Sequence, residues 1–478
     1  MTIRRKALSG SSNRLPLFPD LVESDRVVSD LVTSDLVTSD LVTSDRVTSD
    51  RVTSDRVASD RVAPGLIAPD LDWSGDAPPP PADHVFTDVL RGFSYNGAPT
   101  AVFDDAGLRY YVNEFWTSGQ RRGHSLHEIS YRACFKAQLP EFLIQRLTRV
   151  GDIVYDPFSG RGTTAVQAGL MGRRPIANDI NPLSAMLARP RLHAPDLAAI
   201  RARMASLDPT NHQEAGPDDL LAFYHPDTLH GIVGLRRYLL DRDAAGTLDP
   251  IDDWIRMVAI NRLTGHSPGF FSVYTLPPNQ AVSAVRQRKI NESRGQTPPP
   301  RDIAAIILKK SQTLVDDGMP GAHPDPLWLT GPADRTPAIP DRAVDLIVTS
   351  PPFLNIVDYE GDNWLRCWFA GIDPSTVRIA RHANTAAWEA FVHAAFREFA
   401  RIVRPGGYVA FEVGEVRGGK VLLERHAAAA IAGLPFQVEG VMVNQQEFTK
   451  TANCWGVGNN RGGTNSNRIV LARRHMPA

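Results

Sequence analysis

Cysteine is scarce. Cys134, Cys367 and Cys454 are odd in number and scattered, which argues against a disulfide framework or a zinc ribbon and fits a reducing cytoplasm. No metal site is expected. An excess of charge of one sign is missing too: the net charge is −1, so affinity for a polyanion has to come from local basic surface. No apolar run approaches the ~18 residues of a membrane span. The basic opening Met1-Thr2-Ile3-Arg4-Arg5-Lys6 is not followed by the apolar stretch of a signal peptide. What is present, 478 residues with 42% apolar, suffices for one large or two ordinary domains with real cores.

Residues 24–63 are a tandem pentapeptide, from Ser24-Asp25-Arg26-Val27-Val28 to Ser59-Asp60-Arg61-Val62-Ala63. A period of five matches neither helix nor strand, so no apolar face accumulates. The pattern has some likeness to pentapeptide-repeat β-helices, but the central position is Arg in five of the eight copies, which such a core does not accept. A disordered, repeat-expanded tail is expected. Asp76-Ala77-Pro78-Pro79-Pro80-Pro81 continues it as a stiff linker, so residues 1–83 form a tail and the ordered chain starts near His84.

Two stretches carry chemistry. Ala343-Val344-Asp345-Leu346-Ile347-Val348 reads as a short buried strand, stopped by Thr349-Ser350-Pro351-Pro352-Phe353. Two prolines make a stiff, non-helical ledge with carbonyls to offer. Such a ledge could hold a flat amino-bearing ring: Ser350 and a backbone carbonyl accept from the amine, and Phe353 stacks on the face. The bland reading is a proline turn after a strand. Far upstream, the strand Gly151-Asp152-Ile153-Val154-Tyr155 runs into Asp156-Pro157-Phe158-Ser159-Gly160-Arg161-Gly162-Thr163-Thr164. A helix over 165–171, a strand over 175–178 and Asp179 follow. Strand, glycine loop, helix, strand and acid open a doubly wound α/β, Rossmann-like sheet. Gly160 and Gly162 let backbone come close to a ligand, and Asp179 is placed for two ribose hydroxyls. A lone Gly-x-Gly is weak. Asp156, able to take an ammonium, turns the reading toward S-adenosylmethionine rather than a pyrophosphate.

Together these stretches resemble the amino-group DNA methyltransferases, most of all the Ser-Pro-Pro-Tyr branch of cytosine-N4 modification methylases. The resemblance covers roughly 131–192 and 327–413 and includes Asn178-Asp179-Ile180-Asn181-Pro182, Asn355-Ile356-Val357-Asp358-Tyr359 and Arg404-Pro405-Gly406-Gly407-Tyr408-Val409. It implies a catalytic Ser350, Pro351, Pro352 and Phe353. It implies cofactor contacts from Asp156, Phe158, Gly160, Gly162, Thr163, Thr164, Asp179 and Asp334, and from Phe135 in a cofactor-side segment, 131–140. Phe353 stands where the family has Tyr, which removes one hydrogen bond and leaves base identity open. Residues 84–191 are the first part of the methyltransferase domain and 327–478 the second.

Residues 192–326 lie between them and read as helical at 219–225, 229–241, 251–263, 281–292 and 303–315, with a Gly/Pro/aromatic loop at 264–280. Arg286, Arg288, Lys289, Arg294, Arg301, Lys309 and Lys310 form one basic run. The resemblance implies target recognition there, and cations on an insertion suit phosphates; a solvated helix face is the plain alternative. The aromatic helix at 363–369 reads as core, and the Gly/Asn-rich 450–468 as a DNA-facing loop or a plain hairpin loop. The expected activity is methyl transfer from S-adenosylmethionine to the exocyclic amine of a flipped base in double-stranded DNA, cytosine N4 first, beside a cognate restriction endonuclease. Adenine N6, an RNA amine, and a non-catalytic DNA-binding module are the alternatives. Cytosine-C5 chemistry needs a nucleophilic thiolate, and no cysteine follows a proline at a loop tip.

Overall fold

The computed structural model describes residues 86–117, 123–131, 134–275, 281–318, 326–354, 359–416, 421–447 and 464–476. The pentapeptide tail, the proline linker, residues 355–358, Cys454 and the Gly/Asn-rich stretch up to residue 463 lie outside the described residues. None of the described helices is long and apolar enough to cross a membrane.

The chain opens with α1 (Phe86–Gly92), the small hairpin β1 (Ser94–Tyr95) and β2 (Ala98–Pro99), and a second hairpin, β3 (Ala101–Asp105) and β4 (Leu108–Asn113). Positive φ at Asn96, Gly97, Ala106 and Gly107 makes both turns. None of this was expected from the sequence, where the strands are too short and too exposed to leave a period. Then come α2 (Gln138–Leu147), β5 (Ile153–Asp156), α3 (Thr163–Leu170), β6 (Arg174–Asp179) and α4 (Leu183–Ala188). These match the expected strand, loop, helix and strand within a residue or two.

The stretch between the two halves is helical: α5 (Leu197–Ser206), α6 (Pro226–Ala244), α7 (Pro250–Arg262), α8 (Ala284–Arg294) and α9 (Ile303–Leu314). Side-chain caps start all five: Asp196 on Ala198, His225 on Asp227, Asp249 on Ile251 and Asp252, Ser283 on Arg286, and Asp302 on Ala305. The helix expected at 219–225 is a 3-10 turn, Asp218–Ala222, and α5 was missed. Trp254 donates its indole N–H to Ser311 at 2.9 Å in the middle of this helical core. Leu187 of α4 joins the same core.

The second half runs β7 (Leu327–Thr330), β8 (Val344–Thr349), α10 (Tyr359–Ala370), α11 (Thr385–Ile402) and β9 (Val403–Val413). A two-stranded ribbon, β10 (Glu415–Val416) and β11 (Val421–Leu422), leads into α12 (Leu423–Ile431) and the long hairpin β12 (Phe436–Glu447) and β13 (Thr464–Arg474). Leu365 and Phe369 of α10 also pack into the helical core of the insertion. The insertion therefore shares its interior with the part that carries the sheet and has no separate core among the described residues.

Nine strands form one mixed sheet in the order β3-β4-β12-β13-β9-β8-β5-β6-β7. The run from β9 to β7 is parallel, and β13 is antiparallel to both its neighbours. This is a mixed α/β fold, a doubly wound parallel sheet extended by antiparallel strands. Period-2 alternation sorts β8 cleanly: Leu346 and Val348 pack toward α2 with Val154, while Ile347 packs toward α11 with Tyr155 and Phe411. The chain leaves β5 outward to β6 and β7, then returns to place β8 on the other flank of β5. That reversal of strand order is where ligands collect at carboxyl ends in such sheets.

At the amino edge, Asp345 ties three strands. It accepts from the Ile153 backbone N–H at 2.8 Å and pairs with Arg404. Asp345→Ala leaves that N–H and that guanidinium without their acceptor, with a cost of about 2 kcal/mol. Urea unfolding should show this loss.

Candidate active site

Four neighbouring parallel strands end on one edge, and each delivers a residue picked out from the sequence. β5 ends in Asp156, β6 in Asp179 and β8 just before Ser350, while β7 leads into the turn that holds Asp334. The contact that joins the cofactor side to the ledge is direct: Thr349 donates its hydroxyl to Asp156 Oδ1 at 2.6 Å. Thr164, at the start of α3, adds a second link by donating to the Val348 carbonyl at 3.1 Å. The glycine loop and the proline ledge, some 190 residues apart in sequence, thus flank one strand boundary.

The loop is shaped by its own hydrogen bonds. Gly160 (φ +52°) donates its N–H to Asp179 Oδ2 at 2.8 Å, and Asn181 N–H reaches Asp179 Oδ1 at 2.9 Å. Phe158 N–H reaches Asp156 Oδ1 at 3.2 Å, and the Phe158 ring lies 5.5 Å from that of Phe391 on α11. Gly162 has φ +80° and is crowded by the fold. A Cβ there would sit 2.3 Å from Ala188 Cβ, so this glycine also makes room for α4. Thr163 and Thr164 are likewise turned inward, Thr163 toward Arg161 and Thr164 toward β8. Phe135 is half-buried, and its carbonyl accepts from Arg161. Asp334 is exposed, in a turn stitched to β6 by Asn178, which donates to the Gly331 carbonyl at 3.0 Å.

Asp156 and Asp179 both carry raised pKa values. Burial pushes Asp156 up to about 7 against the pull of Thr349, Phe158 and Thr164, and Asp179 adds to the rise. Burial also raises Asp179, against hydrogen bonds from the backbone of Asn181, Gly160 and Ile180. Among the described residues neither is ion-paired. A buried acid, Asp156, and a half-buried one, Asp179, without a cation beside a glycine turn fit a ligand that brings positive charge and hydroxyls of its own.

On the ledge, Pro351 is buried, and the Pro352 carbonyl accepts from the Trp388 indole at 2.9 Å. No hydrogen bond from the described residues reaches the Pro351 carbonyl. The Phe353 ring packs against Gly414 at the end of β9, where a Cβ would lie 2.8 Å from Phe353 Cε2. Behind Ser350 stands a group that sequence reading missed. Glu412 of β9 is buried, burial raises its pKa, and hydrogen bonding from Ser350 and then Asn467 pulls it back. Asn467 Nδ2 lies 3.2 Å from Glu412 Oε1. Ser350, just past the end of β8, thus has a buried acid of the neighbouring strand beside it. A buried acid in an otherwise apolar strand, Ala410-Phe411-Glu412-Val413, was the available signal.

Residues 94–188 match the family model described as DNA methylase, that of the N6/N4 amino-group DNA methylases. Three curated relatives are type II methyltransferases. M.MjaII of Methanocaldococcus jannaschii is 38% identical over 78 residues, 16% of this chain and 14% of that one. M.BsoBI of Geobacillus stearothermophilus is 23% identical over 291 residues, 55% and 56% of the two chains. M2.DpnII of Streptococcus pneumoniae is 44% identical over 61 residues, 12% and 23%. The chain thus spans from 14% to 56% of the length of these relatives. Among solved structures it is similar to TrmN of Thermus thermophilus, at 12% identity and a TM-score of 0.29 over 72% of this chain and 50% of that one. It is also similar to a putative DNA modification methylase of Thermus thermophilus in complex with S-adenosyl-L-methionine, at 22% identity and a TM-score of 0.18 over 31% and 55%. Superpositions this loose say nothing about function. The cofactor implied by the matched family is S-adenosylmethionine.

The raised Asp156 has a signed consequence. Its folded-state pKa lies above the unfolded value, so the folded protein holds the proton longer. This group's contribution to stability is therefore greatest below about pH 4 and is lost as pH rises to about 7, by roughly 4 kcal/mol at most. Asp156→Asn removes that titration. Melting midpoints of the wild type should fall more steeply than those of the variant between these pH values.

Proposed function

We propose that this chain is a DNA methyltransferase that moves the methyl group of S-adenosylmethionine to the exocyclic amine of a flipped base, cytosine N4 in the first reading. Bound at the glycine loop, the cofactor supplies an electrophilic methyl on a sulfonium. The chain's part is to hold and orient. Asp156 is suited to an ammonium, whose charge favours the ionised carboxylate, and Asp179 and Asp334 to the nucleoside end. Ser350, with Glu412 beside it, accepts from the base amine. The Pro351 carbonyl accepts the other hydrogen. Drawing both hydrogens out of the ring plane localises the amine lone pair for in-line attack, with no covalent intermediate. The Thr349–Asp156 hydrogen bond is the observation that carries this reading, since it makes the cofactor strand and the ledge strand one edge.

The helical insertion supports duplex DNA as the substrate. Its α8 buries Ala284 and Gln287 and turns Val285, Arg286, Arg288 and Lys289 outward, Val285 being 61% exposed. The Ala281 carbonyl just before α8 accepts from Trp364 of α10, the helix that follows the ledge. Exposed cations so linked to the catalytic edge suit phosphates. The type II relatives support a place in restriction-modification, with a cognate endonuclease and a cytoplasmic setting. Adenine N6 is the second reading, because Phe353 lacks the phenol hydroxyl of the Ser-Pro-Pro-Tyr branch.

Ser350→Ala should keep S-adenosylhomocysteine binding and lose methyl transfer to duplex DNA by about 100-fold or more. Full turnover by that variant in a tritiated-methyl assay overturns the mechanism, and nucleoside analysis of the wild-type product decides between cytosine N4 and adenine N6. Replacing Arg286 and Lys289 with Ala should reduce the slope of log affinity for duplex DNA against log salt by about one per side chain. An unchanged slope removes α8 from the interface.

A further inference from the structure

The segment that faces the glycine loop is held by buried guanidinium groups. Arg161, the residue between the two loop glycines, donates to the Ile129 carbonyl at 2.7 Å and the Phe135 carbonyl at 3.3 Å, with its Nε on Thr163 at 3.1 Å. Arg191, just after α4, donates to the Leu126 carbonyl at 3.0 Å and the Leu187 carbonyl at 2.9 Å, and also to the carbonyl of Arg161 itself. Arg366 of α10 donates to the Ser130 carbonyl at 3.0 Å and to Asn363 at 2.8 Å, with its guanidinium 5.5 Å from the centre of the Tyr131 ring. All three are buried. The Tyr131 ring in turn lies against the loop, with Cε1 3.6 Å from where a Gly160 Cβ would be.

Burying arginine is costly unless its several donors are all used. Here they are used to bridge. One planar fork reaches carbonyls on separate segments, which a single lysine ammonium does with poorer geometry. Each of the three comes from a different part of the site: the glycine loop, the helix packed against Gly162, and the helix after the ledge. They converge on one wall.

We propose that Arg161, Arg191 and Arg366 are positioning residues that clamp the wall bearing Ile129, Tyr131 and Phe135 onto the glycine loop and so set the affinity for the cofactor. This rests on the methyltransferase reading and adds to it a mechanical origin for cofactor affinity. None of the three touches the reacting atoms. Their loss acts on binding and leaves the chemistry of the filled site in place.

The test is calorimetric titration of S-adenosylhomocysteine into the full chain as wild type, Arg161→Met, Arg161→Lys and Arg366→Lys. Melting curves and steady-state rates on duplex DNA accompany it. The dissociation constant should rise about 10-fold or more in both Arg161 variants, with Lys giving little rescue. The KM for S-adenosylmethionine should rise in parallel, with kcat at saturation within about 3-fold of wild type. Affinity unchanged in variants that are folded at the titration temperature, even with lower melting points, assigns the arginines to stability alone and overturns the clamp. A kcat that falls as far as affinity does overturns it too. If Arg161→Met fails to fold, Arg366→Lys, which keeps the charge but not the planar fork, decides on the same criteria. A wild type that transfers methyl groups but whose variants bind normally sinks the clamp only; a wild type that binds no S-adenosylhomocysteine sinks the cofactor reading beneath it.

Discussion

One hydrogen bond between side chains, from Thr349 to Asp156, fixes the arrangement on which the candidate site depends. It spans the boundary at which strand order reverses, so it couples the strand that opens the cofactor loop to the strand that ends in the proline ledge. Neighbouring strands stand about 4.8 Å apart, which puts the two loops within reach of one small ligand. The bond has a counterpart at the other end of β8, where Asp345 accepts from Ile153. The strand is pinned to β5 at both ends, and its register against the cofactor loop cannot slip without breaking a buried polar contact.

Buried acids appear behind both halves of the site, with different partners. Asp156 and Asp179 are raised by burial and organise the glycine loop from below. Glu412 is raised for the same reason and stands behind Ser350. A neutral hydroxyl at the ledge is a modest acceptor on its own. A buried acid beside it gives that hydroxyl a polar neighbour inside the sheet. The clamp of three arginines is the cationic complement: its charges are spent on carbonyls and leave the acids unpaired.

Much of this was legible in the chain. The glycine loop, its flanking strands and the proline ledge are local signals, written in a few consecutive residues, and the structure brings them to one edge. The helices of the insertion followed from apolar spacing, apart from α5, whose buried face is only Ile200 and Met204. The strands β1 to β4 escaped because they are short and partly exposed. Glu412 escaped for a different reason. Its meaning comes from a neighbour on β8, and pairing between strands leaves no trace in local spacing. The packing demand on Gly162 escaped on the same ground, because what crowds it is Ala188, brought in by the fold. Sequence reading recovered what is local and missed what is made by contact.

The packing of Phe353 on Gly414 carries a consequence for inheritance. With the ring where it is, any side chain at 414 collides with it, since even a Cβ would lie 2.8 Å from Cε2. The two positions are therefore a single evolutionary unit. A lineage that changes the aromatic at 353 gains room at 414, and one that first fills 414 must displace the ring. Descendants that carry a side chain at 414 should also carry a change at 353.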